Sequence, residues 1–404
     1  MSDRWHSFLE QSQAKVAEAK RTRVRRPLDL AGLIDFGSND YLGLRSHAGV
    51  LTALHDALAP ATQSQAGQRQ AGQLQTSRSE PIAPQSSPRW GAGASPVLSG
   101  YTAQHAALED SLAEFAGTDA ALVFSSGFAC HSGSVACLAG SGDLILSDRL
   151  NHASLIDGCR LSRATTVIYP HADAGFVDEY LQRHRQQFGK VMLLTESIFS
   201  MDGDAAPLLE LAEVAQRFDA GLVVDEAHAV GVYGRRGGGL VEELELQSQV
   251  LAKLGTLSKA LGCVGGYVAG DQALIAYLVN HCRSYLFSTA SPGLSLVAAQ
   301  RALQLLIGMQ DERQTLRQQA AGLRQRLRDI GLDVPQGDSP IIPVVVGSEA
   351  RVLELGEQLW SRGIYVPAIR PPTVPDGTCR LRISLSTSHT AEDLERLVVA
   401  LAEC

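Results

Sequence analysis

Four stretches place reactive side chains where a short apolar run ends. Asp225 follows "GLVV", and His228 stands three residues on. Lys259 follows "GTLS", Glu196 follows "VMLLT", and "SSGF" (125–128) follows "ALVF" and opens a helical pattern. A carboxylate at the end of an apolar strand implies a buried cationic partner, because an unpaired buried charge is costly. A lysine among small residues suits carbonyl chemistry once desolvation keeps part of it neutral. A strand-to-helix turn suits a phosphate, because the first N–H groups of the helix point outward. Each residue has a plainer reading by itself. Asp225 is then a helix cap, His228 a satisfied core histidine, Lys259 a solvated lysine and "SSGF" an ordinary turn. Taken together they serve one type of cofactor.

That cofactor is pyridoxal phosphate. It requires a lysine to hold its aldehyde as a Schiff base and a carboxylate to keep its pyridine nitrogen protonated. It also requires backbone N–H groups for its phosphate. The glycine run "GRRGGG" (234–239) suggests a nucleotide loop, but it lacks the G-K-[ST] ending of a P-loop.

The elements that must position these residues alternate along the chain. Apolar runs at 121–124, 144–147, 166–170, 191–196, 221–226, 255–258, 266–270 and 285–288 are separated in several places by amphipathic segments such as "PLLELAEVAQRF". Runs without polar alternation are strands covered on both faces. Strands alternating with helices define an α/β domain with a mainly parallel sheet, whose ligands sit at the carboxyl ends of the strands. Beyond residue 292 a long helical stretch, broken near Gly308, precedes "IIPVVV", a helix, "IYVPAI", "RLRISLS" and a closing helix. This reads as a small C-terminal α+β domain. The expected divisions are an N-terminal helix and arm (1–59), an insertion (60–90), a large domain (91–291), and a linking helix with the small domain (292–404). The insertion is rich in Gln, Ser, Ala and Pro and nearly devoid of large apolar residues. It offers too little burial to offset its ordering entropy, so it is expected to be a mobile surface segment.

Composition excludes several other classes. The chain has 404 residues, 45% of them hydrophobic and 19% charged, and a net charge of −8. That charge argues against nucleic acid or an anionic membrane as partner. The N-terminal stretch reads as a polar amphipathic helix without a signal-peptide core, and no window is apolar enough to span a bilayer. Seven cysteines, none in a C-x-x-C pair, read as reduced thiols of a cytoplasmic protein without a metal site.

Seven motifs in one order extend the argument over nearly the whole chain. They are "FGSNDYLGL" (36–44), "LSGYTAQHAALEDSLAEF" (98–115), "SSGFACHSG" (125–133), "DRLNHASLIDG" (148–158), "TESIFSMDGDAAPL" (195–208), "VDEAHAVGVYGRRGGG" (224–239) and "GTLSKALG" (255–262). The chain resembles the α-oxoamine synthases, fold-type I pyridoxal-phosphate enzymes that condense an amino acid with an acyl thioester and release carbon dioxide. The stretch "AIRPPTVPDGTCRLRISLSTSHT" (368–390) is similar to the branch joining L-alanine to a pimeloyl thioester, carried on coenzyme A or on a carrier protein. Sister branches use glycine or serine, and a non-catalytic binding protein of the same fold is a further alternative. The intact set of Lys259, Asp225, His228 and His152 argues against the last.

The resemblance implies a role for each residue. Lys259 is the Schiff-base lysine and the base, and Asp225 pairs with the ring nitrogen. His228, with Ser200, hydrogen-bonds the phenolic oxygen. His152 stacks on the ring and meets the thioester. Gly127, Phe128 and Thr256 hold the phosphate, and Glu196 supports the surroundings. Arg370 binds the amino-acid carboxylate and Thr373 touches substrate. Arg21 is a candidate for the far carboxylate of the acyl chain. The family's active site lies at a homodimer interface, so Ser288 and Thr289 would reach the neighbouring subunit's phosphate. Two departures stand out: His131 replaces a usual Asn, and "GAGASP" (91–96) replaces a glycine-rich run.

Overall fold

The computed structural model describes residues 3–18, 21–23, 32–58 and 90–404. Residues 60–89 of the expected insertion, and its proposed mobility, lie outside the described residues. The described strands are β1 (Ile34–Asp35), β2 (Ala120–Phe124), β3 (Leu144–Asp148), β4 (Thr165–Tyr169), β5 (Val191–Glu196), β6 (Gly221–Asp225), β7 (Ala252–Thr256), β8 (Gly266–Gly270), β9 (Ile341–Gly347), β10 (Ile364–Tyr365), β11 (Ala368–Ile369) and β12 (Cys379–Ser384). The helices that bear on the site are α1 (Asp3–Glu18), α2 (Ala48–Leu58), α3 (Ala103–Ala116), α4 (Gly127–Leu138) and α5 (Ala153–Leu161). The other helices of eight or more residues are α6 (Ala174–His184), α7 (Leu208–Arg217), α8 (Gln272–His281), α9 (Gly293–Gly308), α10 (Gln310–Asp329), α11 (Glu349–Ser361) and α12 (Ala391–Ala402).

The main sheet has seven described strands in the order β2-β8-β7-β6-β5-β3-β4. Only β8 runs antiparallel to its neighbours. Successive side chains of a strand face opposite sides, and both sides here are dry. Leu193 and Val224 join one apolar cluster. Leu194 and Val223 join another on the opposite face. Helices therefore cover both faces, and only strand ends are open to polar chemistry.

After α9, which ends at Gly308 as the sequence suggests, α10 leads to an antiparallel three-stranded sheet, β11-β12-β9. β10 pairs instead with β1, binding the segment that precedes "SNDYLGL" to the C-terminal part. Two expected strands differ. The run at 255–258 is the tail of β7, which begins at Ala252. The run at 285–288 overlaps a short helical turn, Arg283–Leu286, so Ser288 and Thr289 follow a helix and not a strand. Among the described residues no helix is long and apolar enough to cross a membrane.

Candidate active site

The carboxyl ends of the parallel strands converge. Glu196 ends β5, Asp225 ends β6 and Thr256 ends β7, with Lys259 three residues further on. The turn after β2 opens α4 at Gly127, and the turn after β3 carries His152 to the N-cap of α5. The local sequence explains the turns. Ser126 caps α4 by accepting the Ala129 N–H at 3.1 Å. The opening N–H groups of the helix, those of Gly127 and Phe128 among them, then have no acceptor within the helix. A Cβ on Gly127 would stand 3.0 Å from Thr256 Oγ1, so the glycine keeps this corner open. Gly262 (φ +65°) lets the lysine loop press on the segment after "SNDYLGL"; a Cβ there would lie 2.3 Å from the Arg45 nitrogen.

Asp225 is 3% exposed. Its Oδ1 accepts the Ala227 N–H at 2.8 Å and its Oδ2 lies 3.0 Å from His131 Nδ1. Burial opposes its ionisation, but His131, Lys259 and the Ala227 amide outweigh burial and hold its pKa down to about 2. The adjacent carboxylate points elsewhere. Glu226 accepts the Ser197 hydroxyl at 2.7 Å and the N–H groups of Leu240 and Val241 at 3.0 and 2.7 Å. It thereby pins the end of the "GRRGGG" loop, which is structural here.

Protein crowding around the Lys259 amine lowers its pKa to about 8, with Arg382 acting in the same direction and Asp225 and Glu196 opposing. Burial, reinforced by the charges of Lys259 and Arg382, holds His228 well below the usual histidine range, and therefore neutral. Burial, with the charge of Asp225, holds Glu196 well above the usual carboxyl range. His152 accepts the Ser154 N–H through Nδ1 at 3.2 Å, and loss of solvent lowers its pKa. Ser200 is buried, and its carbonyl accepts Arg382 Nε at 2.6 Å. Thr256 Oγ1 donates to the Gly265 carbonyl at 3.0 Å and lies 2.7 Å from Ser258 Oγ.

The remaining expected residues have partners on other segments or stand exposed. Arg370 donates to the Thr22 carbonyl at 3.0 Å. Arg21 donates to Glu349 at 2.6 Å and to Asp376 at 2.8 Å. Thr373 is exposed on the same loop, its N–H bonded to the Arg370 carbonyl. Ser288 and Thr289 directly follow Phe287, which is 72% exposed, and Phe128 is 50% exposed.

Four residues given no role from sequence belong to this centre: His131, Tyr41, Asn39 and Arg382. Asn39 and Tyr41 stand in "FGSNDYLGL". Arg382 is 4% exposed, donates to Asn39 Oδ1 at 3.1 Å, and is the arginine whose charge reaches Lys259 and His228. Its available signal was the alternation in "RLRIS", two arginines in a strand otherwise apolar.

A strand-end carboxylate, an amine of lowered pKa and an open helix N-terminus in a doubly covered sheet define a class of enzyme. The chain belongs to the aminotransferase class I and II family, whose model matches residues 31–401. It is 45% identical over 314 residues to the 8-amino-7-oxononanoate synthase of Geobacter sulfurreducens, covering 77% of this chain and 80% of that one. A serine palmitoyltransferase from Sphingomonas wittichii matches with a TM-score of 0.84 at 30% identity, over 99% of this chain and 97% of that chain. Another, from S. paucimobilis with a bound PLP-myriocin aldimine, matches with a TM-score of 0.83 at 27% identity, over 98% and 96%.

The residues present fit pyridoxal phosphate. Glu196 Oε1 is buried without a hydrogen-bond partner among the described atoms, as expected beside a polar group that completes the site. Gly127 and Thr256 meet at a helix N-terminus, where a side chain at 127 would crowd the Thr256 hydroxyl. Asp225, buried and ionised at the end of β6, supplies the anion that a pyridinium nitrogen requires.

Proposed function

We propose that this chain is an 8-amino-7-oxononanoate synthase: it condenses L-alanine with a pimeloyl thioester, on coenzyme A or a carrier protein, releasing carbon dioxide and the free thiol. This is a step of biotin synthesis. The observation that carries the reading is the set of Lys259, Asp225, His228 and His152, with Asp225 and His228 buried, in a chain 45% identical to an enzyme of that name. The serine-using relative stands at 30% identity, which favours alanine over serine.

Pyridoxal phosphate supplies an electron sink for the carbanion chemistry at the amino acid Cα. Lys259 anchors the cofactor through its amine. Its Nζ, when not engaged by the cofactor, would be the base that accepts the alanine Cα proton and later returns one. A pKa near 8 leaves a useful neutral fraction at physiological pH. Asp225 keeps a proton at the pyridine nitrogen. His228, with Ser200, would hold the phenolic oxygen, and His152 would stand against the ring and toward the thioester carbonyl. Gly127, Phe128 and Thr256 receive the phosphate, and Glu196, in its neutral form, lines the site. Arg370 and Thr373 bind substrate, and Arg21 receives the far carboxylate of the acyl chain by exchanging it for Glu349 and Asp376. The working unit is a cytoplasmic homodimer, with Ser288 and Thr289 serving the neighbouring site.

Mass spectrometry of the product tests the reading. Alanine with pimeloyl-CoA, or with a pimeloyl carrier protein, should yield 8-amino-7-oxononanoate. Turnover only with glycine or serine would reassign the chain to a sister branch.

A further inference from the structure

We propose that His131 is a positioning residue for Asp225, and that through Ser154 it links Asp225 to His152. The inference rests on the cofactor reading above.

The geometry is specific. His131 lies one helical turn into α4, the helix whose N-terminus is assigned to the cofactor phosphate. Its Nδ1 is 3.0 Å from Asp225 Oδ2, and both residues are buried, at 4% and 3% exposure. Asp225 Oδ1 is held from the other side by the Ala227 N–H. Each carboxylate oxygen therefore has one fixed donor, and the plane of the group is set before any ligand arrives. Nε2 of His131 faces the Gly255 carbonyl at 3.4 Å. Both ring nitrogens thus face acceptors, which fixes the ring between β6 and β7.

The contact continues outward. Ser154 Oγ lies 3.4 Å from His131 Nδ1 and 2.8 Å from His152 Nδ1. The Ser154 hydroxyl donates to His152, which leaves its oxygen to take the longer branch of the His131 Nδ1–H bond whose shorter branch goes to Asp225. A polar chain thus runs from Asp225, assigned to the pyridine nitrogen, to His152, assigned to the ring face. Asparagine can donate to Asp225, but its short amide cannot also span to Gly255. A buried carboxylate that loses a hydrogen-bond donor becomes a stronger base. Without His131, Asp225 should draw the shared proton away from the pyridine nitrogen.

The test uses full-length protein, stripped of cofactor and titrated with pyridoxal phosphate, for wild type and His131→Leu, His131→Asn and Ser154→Ala. The unfolding midpoint of each stripped chain controls for folding. His131→Leu should weaken cofactor binding about 10-fold or more, the usual effect of losing a buried hydrogen bond to a charged group. His131→Asn should recover most of that loss. With 15N-labelled pyridoxal phosphate, the ring-nitrogen resonance should move toward the unprotonated position in His131→Leu. It should move less, in the same direction, in Ser154→Ala, which leaves the core packing intact should the Leu chain not fold. A Leu chain that binds like wild type with an unshifted resonance overturns the role of His131, as does an Asn chain no better than Leu. An unshifted Ser154→Ala overturns the link to His152. A wild-type chain that takes up no pyridoxal phosphate overturns the functional reading itself, a different result from wild type and variant binding alike.

Discussion

The Tyr41 hydroxyl lies 2.6 Å from His228 Nδ1 in a buried contact. It also lies 3.3 Å from Asn39 Oδ1, but that oxygen already accepts Arg382 through two nitrogens at 3.1 Å. The hydroxyl proton therefore goes to the histidine. Burial pushes the Tyr41 pKa up to about 12, so the phenol keeps that proton. With Nδ1 accepting, neutral His228 carries its hydrogen on Nε2, which makes Nε2 the donor for a phenolic oxygen.

Tyr41→Phe removes that constraint and leaves Nδ1 buried without a donor. Loss of one such hydrogen bond corresponds to about 10-fold in kcat/KM. Steady-state kinetics at saturating cofactor measure it, and a wild-type kcat/KM would contradict the tautomer assignment.

Lys259 sets the pH dependence of cofactor capture. Only the neutral amine attacks an aldehyde, and its pKa is lowered to about 8. The rate at which stripped enzyme takes up pyridoxal phosphate should climb as pH rises toward about 8 and level above it. Borohydride reduction and peptide mapping should place the label on Lys259. A label on Lys253 or Lys190, or a rate still climbing steeply well above that pH, would refute the assignment.

His171 fastens the end of β3 to the loop that carries Asp204. Its Nδ1 lies 3.0 Å from Asp148 and its Nε2 2.7 Å from Asp204. Burial disfavours its charge, but the two carboxylates outweigh burial and raise its pKa to about 10. Because the folded value is the higher one, the stabilisation is complete below the unfolded value of about 6.5 and is lost as pH rises through about 10. His171→Gln should cost about 1–2 kcal/mol, a figure discounted for solvent screening at the partly exposed Asp204. Urea midpoints should show a constant gap between wild type and variant in the acidic range, shrinking across that window. A gap that widens with pH would exclude the charged staple.

Mixed dimers test the shared site. A Lys259→Ala chain combined with a chain changed at Ser288 and Thr289 leaves one site intact per heterodimer, under two-fold symmetry. Activity should exceed that of either parent. No recovery despite proven subunit exchange would place Ser288 and Thr289 outside the neighbour's site.

The strand-end positions of Glu196, Asp225 and Thr256 were legible because doubly covered parallel strands read as unbroken apolar runs. Lys253 hid the start of β7. It is a buried lysine satisfied by the carbonyls of Ala116 and Gly238, a pairing that no local pattern announces. The run "YLFS" misled because four apolar-rich residues fit a helical turn as well as a strand. "IYVPAI" held two strands, one pairing with β1 and one with β12, and only tertiary partners separate them. His131 and Arg382 were illegible for the same reason, since their partners are distant in sequence.

Asp225 and Glu226 are consecutive, yet one faces the reaction centre and the other accepts from Ser197 and from Leu240 and Val241, where the glycine loop ends. Their roles depend on counting, because a strand presents alternate residues to opposite sides. Deleting one residue within β6 would bring Glu226 and Ala227 to the places of Asp225 and Glu226, inserting one would bring Val224 and Asp225 there, and either change would disable both tasks at once. The segment should accept conservative side-chain replacements far more readily than any change in its length.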